Sequence, residues 1–492
     1  MRILEHERRG APAALARETQ APLFAAGRNC WCIQPAGRVA FFIDGANYFK
    51  HLRAALRRAR QSIFIVGWDF DPNIRLDPVD APDESLGALL TRLALERPML
   101  QIRLLIWSFS TFYGPSRTPF VQIEEPWHAR APNITFEWDS AYPLGGSHHE
   151  KIVCIDDSIA FIGGIDLTAE RWDTPAHGSG DPRRHEWDGI PFRPVHDMQI
   201  GVDGAAAQAI AAHVRDRWAV ATGRTLAPPQ PIPDPWPPEA KPWLSDIGVG
   251  IARTRPPYGD NPGIREVEAL NVDVLRSAQR AIYIETQYFT ARNVGDTLAE
   301  RLSEPDGPEV VVVVTRESKG WLEQFAMGSN RERLLRRLKA EDRWDRLRVY
   351  YPVVPSDDGE QAVNIHSKLI IADDRILRNG SSNLNNRSMG LDTECDVAFE
   401  ASSAEKRRAI GFLRDCLLAE HLGTSPRRVA AAIAETGSLV RAIESLNTGR
   451  RCLRPVPIDP DSGATEPITG TAILDPDEPI DLAYLRQRFL PR

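Results

Sequence analysis

The sequence predicts an α/β protein made of two similar halves, and three observations lead to this prediction. The chain has 492 residues, more than one ordinary domain needs, because domains usually run to roughly 100–200 residues. Segments with helical spacing of apolar residues alternate with short apolar runs typical of buried strands, which is the pattern of a sheet covered by helices. This series of segments recurs in the same order in the second half of the chain.

The composition narrows the classes of function. The residues are 42% hydrophobic and 26% charged, as in ordinary globular proteins. No apolar stretch approaches the roughly 18 residues of a membrane-spanning helix, and the first residues lack the apolar core of a secretory signal. We therefore expect a cytoplasmic protein, either soluble or peripheral on a membrane. The net charge of -7 would repel polyanions, so nucleic acid is not expected as a partner.

The recurring series begins with a helix and a strand. In the first half, the helical segment 45–61 leads into the strand-like run 62–70. In the second half, the helical segment 265–280 leads into the run 281–289. Two further apolar runs correspond as predicted buried strands, namely 100–108 and 309–316.

A shared motif is the strongest correspondence between the halves. Residues 148–167 align without gaps with residues 365–384, and both contain the pattern His-x-Lys-x4-Asp-x6-Gly. Chance is a poor explanation for such an alignment in chain segments that also agree in order. The identical positions are His149/His366, Lys151/Lys368, Asp156/Asp373, Asp157/Asp374, Ile159/Ile376, Gly163/Gly380 and Leu167/Leu384.

The residue types in this motif suit the cleavage of a phosphodiester. In each copy the His and Lys are two residues apart at the start of an apolar run, so a strand would point both to one face. The reaction needs a nucleophile, an acid for the leaving alkoxide and positive charge at the non-bridging oxygens. His149 and His366 would supply the first two, through a phosphohistidine intermediate. Lys151, Lys368 and Asn383 would hold the phosphate, and no metal ion or other cofactor is expected.

A carboxylate is expected beside each histidine, because a catalytic imidazole is usually held in one tautomer by an acceptor on its other nitrogen. Aligning residues 195–202 with residues 392–399 matches Asp197 with Glu394. We predict both to belong to the catalytic group. Within each half, Asp197 is predicted to orient His149 and Glu394 to orient His366.

The two copies differ at one position of the phosphate subsite. Asp166 occupies the place that Asn383 has in the second copy. We expect both residues at the substrate phosphate, with the anion-binding amide coming from Asn383 alone. The site is therefore not expected to be fully symmetric.

The other motif positions are predicted to be structural. Asp156 and Asp373 follow the lysines by five residues, so strand alternation places them on the opposite face. His148 precedes His149 and is expected to point away from the site by the same rule. Small residues would let the backbone approach closely beside the site, at Gly163, Gly164, Gly380 and Ser381.

The doubled motif with its following glycines resembles the signature of the phospholipase D superfamily. Residues 67–72, 163–174 and 380–394 also look like segments of the phosphatidylcholine-hydrolysing branch of bacterial type. The resemblance implies two α/β/α sandwich domains related by a pseudo-twofold axis, with His149 as nucleophile and His366 as acid. It implies a phospholipid at a membrane surface as substrate, with phosphatidic acid and a head-group alcohol as products and transphosphatidylation beside hydrolysis. We expect a monomer.

The resemblance and a proline-rich stretch between the halves also predict boundaries. These are an extension at 1–37, a first repeat at 38–224, a linker at 225–246, a second repeat at 247–450 and a tail at 451–492. The aromatic-rich segment 107–142 fits either a membrane-facing rim or a loop folded over its own core.

Three other functions stay open. A cardiolipin-synthase-like phosphatidyltransferase would use the same intermediate, although the apolar N-terminal helices usual in that group are missing from the sequence. A nuclease or other phosphodiesterase would need a basic groove, against which the net charge argues. A non-catalytic scaffold is disfavoured because all four His and Lys positions of the two motifs are intact.

Overall fold

The computed structural model describes residues 22–108, 127–230, 234–316, 327–460, 463–466 and 475–479. The strands of the first half are β1 (Cys32–Ile43), β2 (Ser62–Gly67), β3 (Gln101–Trp107), β4 (Ile134–Asp139), β5 (Ile152–Ile155), β6 (Ile159–Gly163), β7 (Val195–His196) and β8 (Met198–Asp203). Its helices are α1 (Gly45–Leu56), α2 (Leu86–Glu96), a short 3-10 helix (Trp127–Arg130) and α3 (Gly204–Thr222).

The second half contains the remaining described elements. Its strands are β9 (Leu244–Arg255), β10 (Ile264–Arg265), β11 (Ala281–Thr286), β12 (Glu309–Val314), β13 (Leu347–Ser356), β14 (Gly359–Ala362), β15 (Asn364–Ile365), β16 (Lys368–Ala372), β17 (Ile376–Gly380), β18 (Glu394–Glu400) and β19 (Cys452–Pro455). Its helices are α4 (Glu266–Ser277), α5 (Arg292–Ser303), α6 (Ser329–Glu341), α7 (Asn386–Gly390), α8 (Ala404–His421), α9 (Pro426–Thr436) and α10 (Leu439–Leu446).

The two halves form the same sheet twice. The first sheet has the order β4-β3-β2-β5-β6-β8-β1, in which the first three strands are parallel and the rest are antiparallel. The second sheet has the matching order β13-β12-β11-β16-β17-β18-β9. Strands β1 and β9 join the two sheets as an antiparallel pair. The predicted mixed α/β fold, built twice around a pseudo-twofold axis, is confirmed.

Both faces of each sheet are buried, which explains why the motif strands are apolar throughout. In β5, Ile152 and Cys154 face a core that contains residues of both sheets and of α3 and α8. Val153 and Ile155 face a second core beneath α1 and α2, and a third core lies beneath α4, α5 and α6. Strands covered on both sides read as continuous apolar runs. Among the described residues, no helix is both long and apolar enough to cross a bilayer.

Two of the predicted boundaries fall inside strands. The boundary at 37/38 lies within β1 and the boundary at 246/247 within β9. These strands extend further because each gains ladder hydrogen bonds from the other half. The predicted tail also contributes to the sheet, since β19 pairs with β13.

The motif aspartates anchor the start of a neighbouring strand. The Asp156 carboxylate accepts hydrogen bonds from the backbone amides of Arg60, Gln61 and Ser62 at 2.8, 2.7 and 2.7 Å. In the second half, Asp373 accepts from the amides of residues 279, 280 and 281 at 2.6, 2.7 and 3.0 Å. These contacts lie at the end of β5 and β16 remote from the histidines.

We expect Asp156→Ala to lower the free energy of unfolding by about 2–4 kcal/mol, because three amides lose a charged acceptor. The activity per folded molecule should change little, since the carboxylate is remote from the histidines. Urea unfolding checks the first effect and an assay below the transition checks the second. Asp157→Ala is the matched control, because Asp157 accepts a hydrogen bond from Arg215 at 2.6 Å. Its removal should lower the free energy of unfolding less than Asp156→Ala does. Equal losses in both variants would contradict the anchoring role.

Candidate active site

The two motifs bring their histidines and lysines into one site between the halves. Lys151 immediately precedes β5, and Lys368 is the first residue of β16. Burial lowers the pKa of His149, and the charges of both lysines lower it further, so residues of the two motifs lie within electrostatic reach of each other. The site is therefore built from both halves, with the motif strands at equivalent positions in the two sheets.

Each histidine is held by the carboxylate of the other half. Nδ1 of His149 lies 3.0 Å from Oε1 of Glu394, and Nδ1 of His366 lies 2.6 Å from Oδ2 of Asp197. The expected pairing of Asp197 with His149 and of Glu394 with His366 is therefore corrected. Both carboxylates do face the imidazoles of the two motifs, but the pairs cross between the halves.

Backbone contacts between the halves explain the crossed pairs. Strands β7 and β15 pair in parallel, and the amide of His366 donates to the carbonyl of His196 at 2.8 Å. The pseudo-equivalent contact runs from the amide of His149 to the carbonyl of Thr393 at 3.1 Å. Each histidine is thus aligned with the chain segment that carries the opposite half's carboxylate one residue later.

The surroundings of the two carboxylates differ. Glu394 accepts hydrogen bonds from the hydroxyls of Ser381 and Ser388 at 2.5 and 2.6 Å. Asp197 accepts one from the amide of Met198 at 2.7 Å. The residue equivalent to Ser381 is Gly164, where a Cβ atom would lie 2.2 Å from Oδ1 of Asp197. The same motif position is therefore a serine that donates to Glu394 in the second half and a glycine that leaves room for the Asp197 carboxylate in the first half.

Both lysines are buried, and their partners differ. Nζ of Lys151 lies 3.0 Å from Oδ2 of Asp166 and donates to the carbonyl of His149 at 2.9 Å. Nζ of Lys368 donates to the carbonyl of His366 and lies 3.4 Å from Oε1 of Gln287. Lys151 is therefore paired with a carboxylate, whereas the side-chain partner of Lys368 is an amide oxygen.

Asn383 and Arg171 are two further buried polar residues to be considered with the motifs. Oδ1 of Asn383 is buried and receives no hydrogen bond among the described residues. Arg171 is also buried, and its charge lowers the pKa of both His366 and Lys368. Sequence reasoning missed Arg171 and Ser388 as parts of the site, although both lie within the segments that carry the family resemblance.

Burial sets the protonation of the site. Burial and the neighbouring lysines hold the pKa of both His149 and His366 well below the ordinary value. Burial raises the pKa of Asp197 and of Glu394 to about 7, although Lys368 opposes the shift at Asp197 and the hydroxyls of Ser381 and Ser388 oppose it at Glu394. Burial lowers the pKa of Lys368 to about 7, against the opposing effect of Asp197. Three groups of the site therefore change charge near neutral pH.

We expect a bell-shaped pH dependence of kcat/KM centred near pH 7. Below this range the Glu394–His149 pair takes up a proton and Glu394 can no longer accept the imidazole N–H, and above it Lys368 loses its charge. In kcat the alkaline limb should move to higher pH, because bound phosphate favours the ammonium form. Lys368→Arg should move that limb up by roughly two pH units or more, since a guanidinium stays charged. If the alkaline limb has the same pKa in kcat as in kcat/KM, and the same pKa in Lys368→Arg as in wild type, Lys368 is not its origin.

His148 and the aromatic segment 107–142 lie next to the motif histidines. Nδ1 of His148 is 3.0 Å from Oγ1 of Thr393 and 3.2 Å from Oδ2 of Asp139, so this ring turns away from the histidine that follows it. In the aromatic segment, Trp107 stacks on Trp68 at 5.4 Å, and Trp68 meets the ring of His149 edge-on at 6.4 Å. The aromatic residues of segment 107–142 that lie outside the described ranges are Phe109, Phe112, Tyr113 and Phe120.

Comparisons with known proteins point to one family. Residues 55–227 match a family model described as phospholipase D, and residues 272–412 match one described as cardiolipin synthase, PLD-like domain. Phospholipase D A of Dictyostelium discoideum is 26% identical over 427 residues, which cover 73% of this chain and 32% of that protein. Phospholipase D zeta 1 of Arabidopsis thaliana is 30% identical over 213 residues, which cover 36% of this chain and 19% of that protein. The chain spans a third or less of the length of these relatives.

One solved structure shares the fold over most of the chain. The phosphatidylserine synthase of Haemophilus influenzae Rd KW20 superposes with a TM-score of 0.55 at 14% sequence identity. The superposition covers 78% of this chain and 88% of that one. At this identity the likeness concerns the fold alone.

Proposed function

The chain belongs to the phospholipase D superfamily, and we propose that it is a phospholipase D that hydrolyses the distal phosphodiester of glycerophospholipids. The observation that carries this proposal is the crossed arrangement of the two histidines. Nδ1 of each imidazole faces a buried carboxylate, which leaves Nε2 of each ring for chemistry at one phosphorus atom. Relatives named phospholipase D support the substrate class.

The first half-reaction transfers the phosphatidyl group to the enzyme. Nε2 of His149 attacks phosphorus while the bond from phosphorus to the head-group oxygen breaks, and His366 gives its proton to that oxygen. Lys151, Lys368 and Arg171 offset the negative charge of the phosphate oxygens. The phosphate also offsets the cationic charges that lower the pKa of His366, so substrate binding favours the protonated form that an acid needs.

The second half-reaction releases the product. His366 takes a proton from water, the water oxygen attacks phosphorus, and the bond from phosphorus to Nε2 of His149 breaks. Phosphatidic acid leaves, and both histidines return to their starting protonation states. Glu394 holds the Nδ1–H of the His149 ring throughout, so that Nε2 carries a free lone pair before it attacks phosphorus and regains it when the P–N bond breaks.

A second candidate is transfer of the phosphatidyl group to a lipid alcohol. The match of residues 272–412 to a domain described as cardiolipin synthase favours it. The intermediate is the same in both reactions, because the acceptor enters only in the second half-reaction. The access of water and alcohols to the phosphohistidine then decides between the two activities.

Product analysis on phospholipid vesicles tests the proposal. Vesicles of phosphatidylcholine and phosphatidylethanolamine with added ethanol should give phosphatidic acid, free head group and phosphatidylethanol. His149→Ala and His366→Ala should give none of these at steady state, whereas His185→Ala, a matched change at an exposed histidine, should behave as wild type. Phosphatidyl transfer to added phosphatidylglycerol without hydrolysis would favour the second candidate. Cleavage of DNA or a diester dye without lipid turnover would overturn the substrate.

A further inference from the structure

A second group of ionisable side chains lies between the two halves, outside the mechanism described above. It consists of Asp44 after β1, His177, His196 in β7, and Glu420 in α8, and we call it the inter-repeat cluster. One ligand atom from each residue lies within 4.8 Å of the others. Asp44, His177 and His196 have no exposed surface, and the Glu420 side chain is 5% exposed.

The polar atoms of the cluster surround one point, with two atom pairs closer together than in a four-ligand shell and two near that spacing. Oε1 of Glu420 lies 2.8 Å from Nε2 of His177 and 2.7 Å from Nδ1 of His196. The Asp44 oxygens lie 3.2 Å from Nδ1 of His196 and 3.8 Å from Nε2 of His177. Four ligands at about 2.0–2.2 Å from a tetrahedral ion are separated from one another by about 3.3 Å.

The outer nitrogen of each imidazole is already bound to a carboxylate. Nδ1 of His177 lies 2.9 Å from Asp173, and Nε2 of His196 lies 3.0 Å from Glu285. Histidines that bind metal ions usually donate the other ring N–H to a carboxylate or carbonyl, which fixes the tautomer. With the N–H turned outward, the inner nitrogens direct their lone pairs into the cluster.

In that tautomer the imidazoles add no positive charge to the cluster, and the nearby guanidinium of Arg451 is one positive charge acting on the Glu420 and Asp44 carboxylates. Two imidazole lone pairs would then face a Glu420 oxygen at hydrogen-bond distance. Neither oxygen of the buried Asp44 carboxylate receives a hydrogen bond of normal geometry among the described residues. An uncompensated buried carboxylate is costly, and the single charge of Arg451 does not balance two carboxylates, so a metal cation or additional protons at the centre would complete the charge balance. A single divalent ion would neutralise the two carboxylates.

We propose that Asp44, His177, His196 and Glu420 bind one structural divalent transition-metal ion, with zinc as the best match. Two imidazoles and two carboxylates suit zinc and its first-row neighbours, and four protein ligands make a closed site. The ion would join three ligands of the first half to α8 of the second. It would also fix the segment that carries Asp197, because His196 precedes that residue and the amide of Asp44 donates to its carbonyl at 2.8 Å.

Metal analysis of the purified full chain tests this proposal. Protein from cells grown with added zinc, manganese and iron should retain about one equivalent of metal after gel filtration in metal-free buffer. Asp44→Asn and Glu420→Gln, which keep the shape of each side chain, should lower this content at least about fivefold. His213→Gln is the matched control, because His213 pairs with Glu150 in another buried group and should leave the metal content unchanged.

Measurements on the wild-type protein test metal binding by the inter-repeat cluster even if the variants fail to fold. Growth in cobalt should give the visible absorption bands of tetrahedral cobalt, and their loss on chelation should accompany a lower melting temperature. Wild-type protein that contains no metal above background, shows no cobalt bands and melts at the same temperature with each added ion would overturn the proposal. Two imidazolium ions would then hold the cluster together.

Discussion

His149→Ala should lower phosphodiester cleavage by at least about 10⁴-fold with every leaving group, because the variant lacks the atom that attacks phosphorus. His366→Ala should behave differently when the leaving group is p-nitrophenolate, which needs no proton to depart. The first half-reaction then still proceeds, whereas the second lacks its base. We therefore expect a burst of about one equivalent of nitrophenol from His366→Ala, followed by very slow turnover.

Stopped-flow absorbance and mass spectrometry of quenched protein measure this difference. The burst from His366→Ala should coincide with a phosphorylated peptide that contains His149, and His149→Ala should give neither signal. His185→Ala controls for the effect of losing an imidazole elsewhere. A burst from His149→Ala, with the modification on His366, would reverse the two roles, and no burst from either variant would contradict a first half-reaction that proceeds without His366.

The repeat made much of the fold predictable from the sequence. The motif strands and the twofold repetition of helix and strand follow from local pattern, because burial on both sides makes β5 and β16 apolar throughout. The pairing of β1 with β9 could not be predicted from local sequence pattern. Contacts between two edge strands depend on how the halves dock, and no feature of either strand's own sequence encodes its partner.

The choice of carboxylate partners was unpredictable for the same reason. Alignment of the two halves shows that Asp197 and Glu394 are equivalent positions, but equivalence does not say which histidine each one contacts. That choice depends on the parallel pairing of β7 with β15 and on its pseudo-equivalent at His149. The hydroxyl of Ser388, which donates to Glu394 at 2.6 Å, is likewise positioned by α7 and not by the motif.

The crossed pairs predict opposite kinetic defects for two isosteric substitutions. Glu394→Gln should lower kcat by about 10³–10⁴-fold with every leaving group, because an amide no longer fixes the N–H of the nucleophilic His149 ring. Asp197→Asn should impair the acid and base steps of His366 and leave the nucleophile intact. With p-nitrophenolate as leaving group, Asp197→Asn should therefore keep the burst that Glu394→Gln loses.

The same stopped-flow assay distinguishes crossed from within-half pairing. If each carboxylate served the histidine of its own half, Asp197→Asn would abolish the burst and Glu394→Gln would preserve it. Ser388→Ala is an informative intermediate case, because it removes one of the two hydroxyl donors to Glu394 and leaves the carboxylate in place. Ser388→Ala should lower kcat less than Glu394→Gln does. It should affect the burst in the same direction as Glu394→Gln, since the hydroxyl acts on His149 only through that carboxylate.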